Sequence, residues 1–428
     1  MMKFAPKPEN DFYEFIRIYY RECRARFPKI QAIAGKWMYR DLIPGMSDFD
    51  SRFILEDEMT ADDWCDMSTK VGQVHLELTK RFPVWWRNLE HLPGINLTWS
   101  EIGAEKNYYP EYQLWTYYDT DDQERLGQLM YHFTKRGWNH KDELFHLRRF
   151  VTYFGRYNRT IDPAVNLGIH TNKYPLHSRL MHYFNPPVHS AVCILTQKNM
   201  PGKFNAFEMA NQLFPELECW EIIQEILHKN YETPYWYFEP NVSLLEDKLE
   251  FALLKIAERV RETVSIIPVG TDVDIAKDIN QWKLDLNSLQ VDPIMKIFEK
   301  SRFSRLFKGR LRFYFNAPEG FDNLFLIQNE FGRIRELFFK VPYQTYWEVM
   351  TGEHVDDPIT ILPELLKHPL RPDEIAATKA FAHLTLPDIW VGNEFSVAEK
   401  ILAIYDDFFR GLYTIAQEVS SLEKETDL

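Results

Sequence analysis

Residues 33–55 read IAGKWMYRDLIPGMSDFDSRFIL. Ile33 and Ala34 lead into Gly35. After the turn-rich Pro44-Gly45-Met46-Ser47, two carboxylates, Asp48 and Asp50, stand one residue apart before Phe53-Ile54-Leu55. On a strand, alternate side chains share a face, which sends Asp48 and Asp50 one way and Phe49 into the core. Two carboxylates on one face repel unless a hard cation lies between them, and Mg2+ prefers carboxylate oxygens together with the oxygens of substrate phosphates. The stretch therefore predicts strand, turn and strand with a cation and nucleotide site at the turn. The plainer reading of the same residues is a polar turn, where Asp is common. Gly35-Lys36 does not make a phosphate-binding P-loop, because no glycine lies five residues before Gly35 and Trp37 stands where Ser or Thr would ligate the metal.

Working outward, a chain of 428 residues suits two or three domains, each large enough for its own core. Apolar residues at 45% and aromatics at 15% exclude general disorder. A net charge of -13 argues against sequence-independent nucleic-acid binding. Cys23, Cys65, Cys193 and Cys219 are scattered without a CxxC pair, which predicts reduced core residues in a cytoplasmic protein. No run of eighteen apolar residues occurs and the N-terminal MMKFAPKPENDFYEF is no signal peptide, so a soluble protein without membrane contact is expected.

The spacing predicts a helix over 11–27 that ends before Pro28, and another over about 60–81 that starts at Thr60 with acidic residues in its first turn. Short strands are expected on both sides of that second helix, and from about 121 onward helices punctuated by proline loops.

Gly35, Lys36, Ser47 and the Asp-apolar-Asp of residues 48–50 resemble the nucleotidyltransferase superfamily. Residues 195–260 are similar to the helical C-terminal domain of the aminoglycoside adenylyltransferases through Thr196, Lys198, Pro201, Lys203, Leu213-Phe214-Pro215 and Tyr231. Tyr109 to Trp115 matches the segment that follows the third catalytic strand there, so the resemblance spans about residues 25–262. It implies an α+β fold: a small mixed-sheet core over 1–120, a helical domain over 121–265 and an additional helical domain over 266–428. It also implies Asp48 and Asp50 as Mg2+ ligands, nucleotide contacts from Gly35, Lys36, Ser47, Lys198 and Lys203, and ATP as substrate. The reaction implied is transfer of a nucleoside monophosphate to a hydroxyl of a small molecule. The chain departs from the pattern in three places. Lys36 replaces a small residue, a phosphate-binding arginine is missing near His189 and Ser190, and Asn96 holds the position of the third carboxylate, the general base. An amide accepts no proton at neutral pH. Glu101 is the nearest acidic substitute, on the opposite face of a regular strand unless a bulge intervenes. The competing expectation is a catalytically inactive relative that binds nucleotide or small molecule.

His170, His177, His182 and His189 crowd one segment at spacings that match no usual zinc pattern, and are expected to pack or cap helices. Arg148, Arg149, Arg156, Arg159 and Arg179 line either a triphosphate cleft or a solvated helix face. Asp272-Val273-Asp274 reads as a helix cap. Lys300 to Arg312 carries six basic residues among apolar ones at helical spacing, which predicts an amphipathic helix with a basic outer face. The last third is expected to pair two copies of the chain or to cover the acceptor site.

Overall fold

The computed structural model describes residues 2–4, 12–35, 49–83, 89, 92–94, 96–103, 113–115, 117–139, 142–147, 149–150, 153, 179–232, 242–264, 304–316, 327, 339–384 and 394–426. In chain order these form α1 (Phe12–Arg26), β1 (Ile30–Gly35), β2 (Ser51–Leu55), α2 (Ala61–Arg81), β3 (Leu97–Thr98), α3 (Trp99–Gly103), β4 (Tyr117–Thr120) and α4 (Gln123–Arg136). Then come α5 (Asn185–Thr196), α6 (Lys203–Leu213), α7 (Trp220–Glu232), α8 (Val242–Thr263), α9 (Phe307–Phe315), α10 (Val341–Thr351), α11 (Pro372–Ala382) and α12 (Glu394–Thr426). The class is α+β, with helices dominant over a four-stranded sheet in the order β3-β2-β1-β4. β2 and β3 are parallel, with Ile54 opposite Leu97 and Leu55 opposite Thr98. The Glu56 N–H donates to the Lys29 carbonyl at 3.1 Å, which sets the start of β1 against the end of β2, so that pair is antiparallel and the sheet is mixed.

The chain divides into two compact units that interleave in sequence. One comprises 1–16, 34–49 and 108–290, the other 17–33, 50–107 and 291–428. Segments on either side of the expected boundaries at 120 and 265, namely 17–33 and 50–107 with 291–428, thus share the second unit. A pair of glycines explains how. A Cβ on Gly72 of α2 would lie 2.8 Å from the Gly309 backbone of α9, and one on Gly309 would fall inside the Ser68 carbonyl oxygen. Only bare backbone fits at this crossing, and the Gly309 N–H donates to Ser68 Oγ at 2.8 Å there.

The basic stretch before and within α9 is the clearest correction. Instead of a basic outer face, Arg305 is 7% exposed and Arg310 only 1%, while Lys308 Nζ pairs with both Asp406 oxygens of α12 at 2.7 and 2.6 Å. The helical period is real, but the stripe that faces inward carries cations whose partners come from far along the chain. Buried charges need such partners, and only the tertiary fold supplies them. α2 begins as expected: Thr60 and Asp63 form a reciprocal capping box, with Thr60 N–H to Asp63 Oδ2 at 2.8 Å and Asp63 N–H to Thr60 Oγ1 at 3.2 Å. The first unit has its own core, in which Phe4, Phe184, Phe207 and Trp220 meet as an aromatic cluster between α5, α6 and α7.

Candidate functional site

Of the residues implicated by the Asp-apolar-Asp stretch, Lys36, Ser47 and Asp48 lie outside the described residues. Gly35 closes β1 and is buried. Phe49 is 4% exposed with its ring 5.7 Å from Phe15, so the expected inward turn of that side chain is seen. Asp50 is half-buried and stands immediately before β2 rather than within it. Among the described residues it makes no hydrogen bond or ion pair, so its carboxylate is not committed to the fold there.

The third-strand position is built quite differently. Asn96 is 2% exposed and both ends of its amide are used: Oδ1 accepts the Phe53 N–H at 2.8 Å, and Nδ2 donates to the Pro93 and Gly94 carbonyls at 3.2 and 2.5 Å. It therefore ties β2 to the loop before β3. An acid at this position would face two carbonyl oxygens with no proton to offer, so asparagine suits the fold and a carboxylate does not. Glu101 resolves the question of face without a bulge, because the strand stops at Thr98 and the chain turns into α3. There Glu101 Oε2 accepts the Thr98 N–H at 2.8 Å and Thr98 Oγ1 accepts the Glu101 N–H at 3.2 Å, a second capping box. Both carboxylate oxygens also receive the Arg305 guanidinium, at 3.0 and 2.9 Å, and that guanidinium lies 4.0 Å from the Trp64 ring and donates to the Asn96 carbonyl at 3.0 Å. Such bidentate pairing commits both oxygens of the acid to the fold, whereas proton abstraction requires one within hydrogen-bond reach of the acceptor hydroxyl.

Lys198 is exposed in the loop between α5 and α6, and Lys203 is the first residue of α6, its carbonyl accepting Asn185 Nδ2 at 3.0 Å. Both belong to the first unit. Of the arginine group, the described side chain is Arg149, half-buried near residues 142–147. His170 and His177 and the Asp272 to Asp274 segment lie outside the described residues.

The residues that sequence reasoning missed are His146, His189 and Cys193, whose nitrogen and sulfur atoms lie within 4.8 Å of one another. All three are buried, at 0% exposure. His189 and Cys193 are four residues apart on α5, hence on one helical face, and His-x-x-x-Cys was the available signal; His146 reaches them from helical residues 142–147 and had none. The Asn199-Met200 dipeptide holds all three. His146 Nε2 lies 2.7 Å from Asn199 Oδ1, His189 Nε2 lies 2.8 Å from the Met200 carbonyl, and the Met200 N–H donates to Cys193 Sγ at 3.3 Å.

No family model, curated protein or solved structure matches this chain.

The tautomers follow from the partners. The Met200 carbonyl only accepts, so His189 carries its proton on Nε2 and its lone pair on Nδ1. Asn199 Nδ2 donates to Asp142 Oδ1 at 3.0 Å and to Gln113 Oε1, so the amide oxygen faces His146 and that ring is likewise protonated on Nε2. His146 Nδ1 is then a buried acceptor with no hydrogen-bond partner among the described residues, a situation that costs about 1–3 kcal/mol. His75, equally buried in the other unit, has both nitrogens engaged, at 3.1 Å to the Leu89 carbonyl and 2.9 Å to Tyr19. Burial holds the His146 imidazolium far below its ordinary range, to about 3, against the Asn199 hydrogen bond. Burial also pushes the Cys193 thiol up to about 12, although the Met200 N–H and Arg149 favour the thiolate. Both groups are therefore neutral at physiological pH.

Proposed function

We propose that this chain binds a Mg2+-nucleotide in the manner of the nucleotidyltransferases and no longer transfers it. The observation that carries this reading is the third-strand position, where Asn96 is hydrogen-bonded through both ends of its amide and the nearest acid, Glu101, is held by Arg305. Without a base at this position, general-base catalysis from the third strand, worth about a hundredfold or more of rate, is forgone. Asp48 and Asp50 would hold the cation, which would neutralise triphosphate charge. The uncommitted, half-buried Asp50 carboxylate at the head of β2 fits that role. A second reading, adenylyl transfer from ATP to a hydroxylated small molecule, is favoured by the same aspartate together with the helix, strand, strand, helix, strand order from α1 to β3 around a mixed sheet.

Calorimetric titration with ATP and Mg2+, on the wild type and on Asp50→Asn, tests the binding common to both readings. Saturable, Mg2+-dependent heat in the wild type and its loss in the variant are expected, and an equal response from the two proteins would remove the cation role. Pyrophosphate release over a panel of hydroxylated compounds separates the readings: background rates throughout support the binder, and turnover with any acceptor supports transfer.

A further inference from the structure

We infer that His146, His189 and Cys193 form a binding site for a thiophilic d10 cation, Zn2+ or Cu+, that pins α5 to residues 142–147. The ligand set is two imidazole nitrogens and one thiol, a combination that suits soft and borderline ions and not Mg2+ or Ca2+. If the three atoms sit at the corners of a triangle with the 4.8 Å limiting side, its centre is about 2.8 Å from each, so inward shifts of about 0.5 Å for the sulfur and about 0.8 Å for each nitrogen give ordinary Zn–S and Zn–N lengths of about 2.3 and 2.0 Å. Side-chain rotation alone covers these distances.

Three further features distinguish the cluster from packed core. His146 Nδ1 has no hydrogen-bond partner among the described residues, although the ring is fully buried. Nε2 of each histidine is anchored to an oxygen acceptor, the arrangement that orients an imidazole whose other nitrogen binds a metal. That anchoring continues outward: Asn199 is itself held by Asp142, which is 0% exposed and caps residue 139 through its other oxygen at 3.0 Å. The carboxylate of Asp142 also places a negative charge one residue removed from the site, which offsets part of the ion's charge in a buried setting.

On binding, the Cys193 S–H bond is broken, its proton leaves to solvent and the S–metal bond forms, with no change of oxidation state. Cu+ is complete with three ligands and gives a neutral thiolate complex. Zn2+ takes a fourth, exogenous oxygen to complete a tetrahedron.

The test uses the full chain, stripped with a chelator and kept reduced. Zn2+ is titrated against a chromophoric chelator in one arm and Cu+ in the other, with Co2+ as a spectroscopic probe. One equivalent of Zn2+ or Cu+ and a thiolate-to-cobalt charge-transfer band are expected. The band should vanish in Cys193→Ser and persist in Cys219→Ser, which changes a buried thiol outside the cluster. Asn199→Ala should weaken binding by about 10- to 100-fold. X-ray absorption on the loaded wild type gives the ligands without any variant, so a Cys193→Ser protein that fails to fold leaves the test intact. One sulfur with two nitrogens is expected, in three-coordinate geometry for Cu+ and four-coordinate for Zn2+. Uptake of neither ion by the stripped wild type, a coordination shell without sulfur, or wild-type affinity in Cys193→Ser would overturn the site.

Discussion

Glu101→Gln separates structure from chemistry at the third strand. The carboxylate makes two charge-assisted bonds to Arg305 and accepts the Thr98 N–H, and the two side chains are 7% and 20% exposed for Arg305 and Glu101. A carboxamide keeps one acceptor oxygen, so one charge-assisted bond is lost and the guanidinium is left without its counter-charge. Removing one partner of a fully buried pair costs about 3–5 kcal/mol. Partial exposure of the acid reduces this to about 2–3 kcal/mol. At about 2–4 °C per kcal/mol for a unit of about 200 residues, the unfolding midpoint should fall by about 4–12 °C. Denaturant or thermal unfolding measures this directly. A double-mutant cycle with Arg305→Met should return a coupling above about 1 kcal/mol, because the variant pair removes both charges together. If Glu101→Gln unfolds within about 1 °C of the wild type while pyrophosphate release falls by about two orders of magnitude, the carboxylate acts on an acceptor and the structural argument is wrong.

Gly309→Ala should force α2 and α9 apart, because its methyl group would overlap the Ser68 carbonyl; overpacking of this kind costs about 1–3 kcal/mol, and an unfolding free energy unchanged in urea would show that the crossing is looser than described. Asp63→Asn addresses pH. Burial works to raise the Asp63 carboxyl, but its bonds to Thr60 and to Lys29 outweigh that and hold it below the usual carboxylate range. A depressed folded-state value contributes stability above the unfolded value of about 4 and loses it as pH falls through the lower, folded one. The variant should therefore be less stable by about 1 kcal/mol at pH 7, and the gap should close in acid, below about pH 4. A gap that stays constant down to pH 2 would mean that the cap does not depend on the charge.

Much of the local structure was legible from the sequence because it rests on short-range physics. The N-terminal helix, observed as α1, follows from apolar spacing that ends before Pro28, and α2 from Thr60 and the acids behind it. Gly35 as a strand end, the inward Phe49 and the helices Lys203–Leu213, Trp220–Glu232 and Val242–Thr263 likewise depend on period and caps. What pairs across tens or hundreds of residues was not legible. A basic helical stripe reads as solvated until Glu101 and Asp406 are seen to receive Arg305 and Lys308. Asn96 reads as a lost catalytic acid until the carbonyls of Pro93 and Gly94 show why an amide is required. His189 reads as a packing histidine and Cys193 as a lone core thiol because the third member of the cluster, His146, lies more than forty residues away. Periodicity and capping report on the neighbours of a residue along the chain. The partner of a buried charge or of a lone pair is chosen by the fold, and the sequence carries that choice only as the sum of all its contacts.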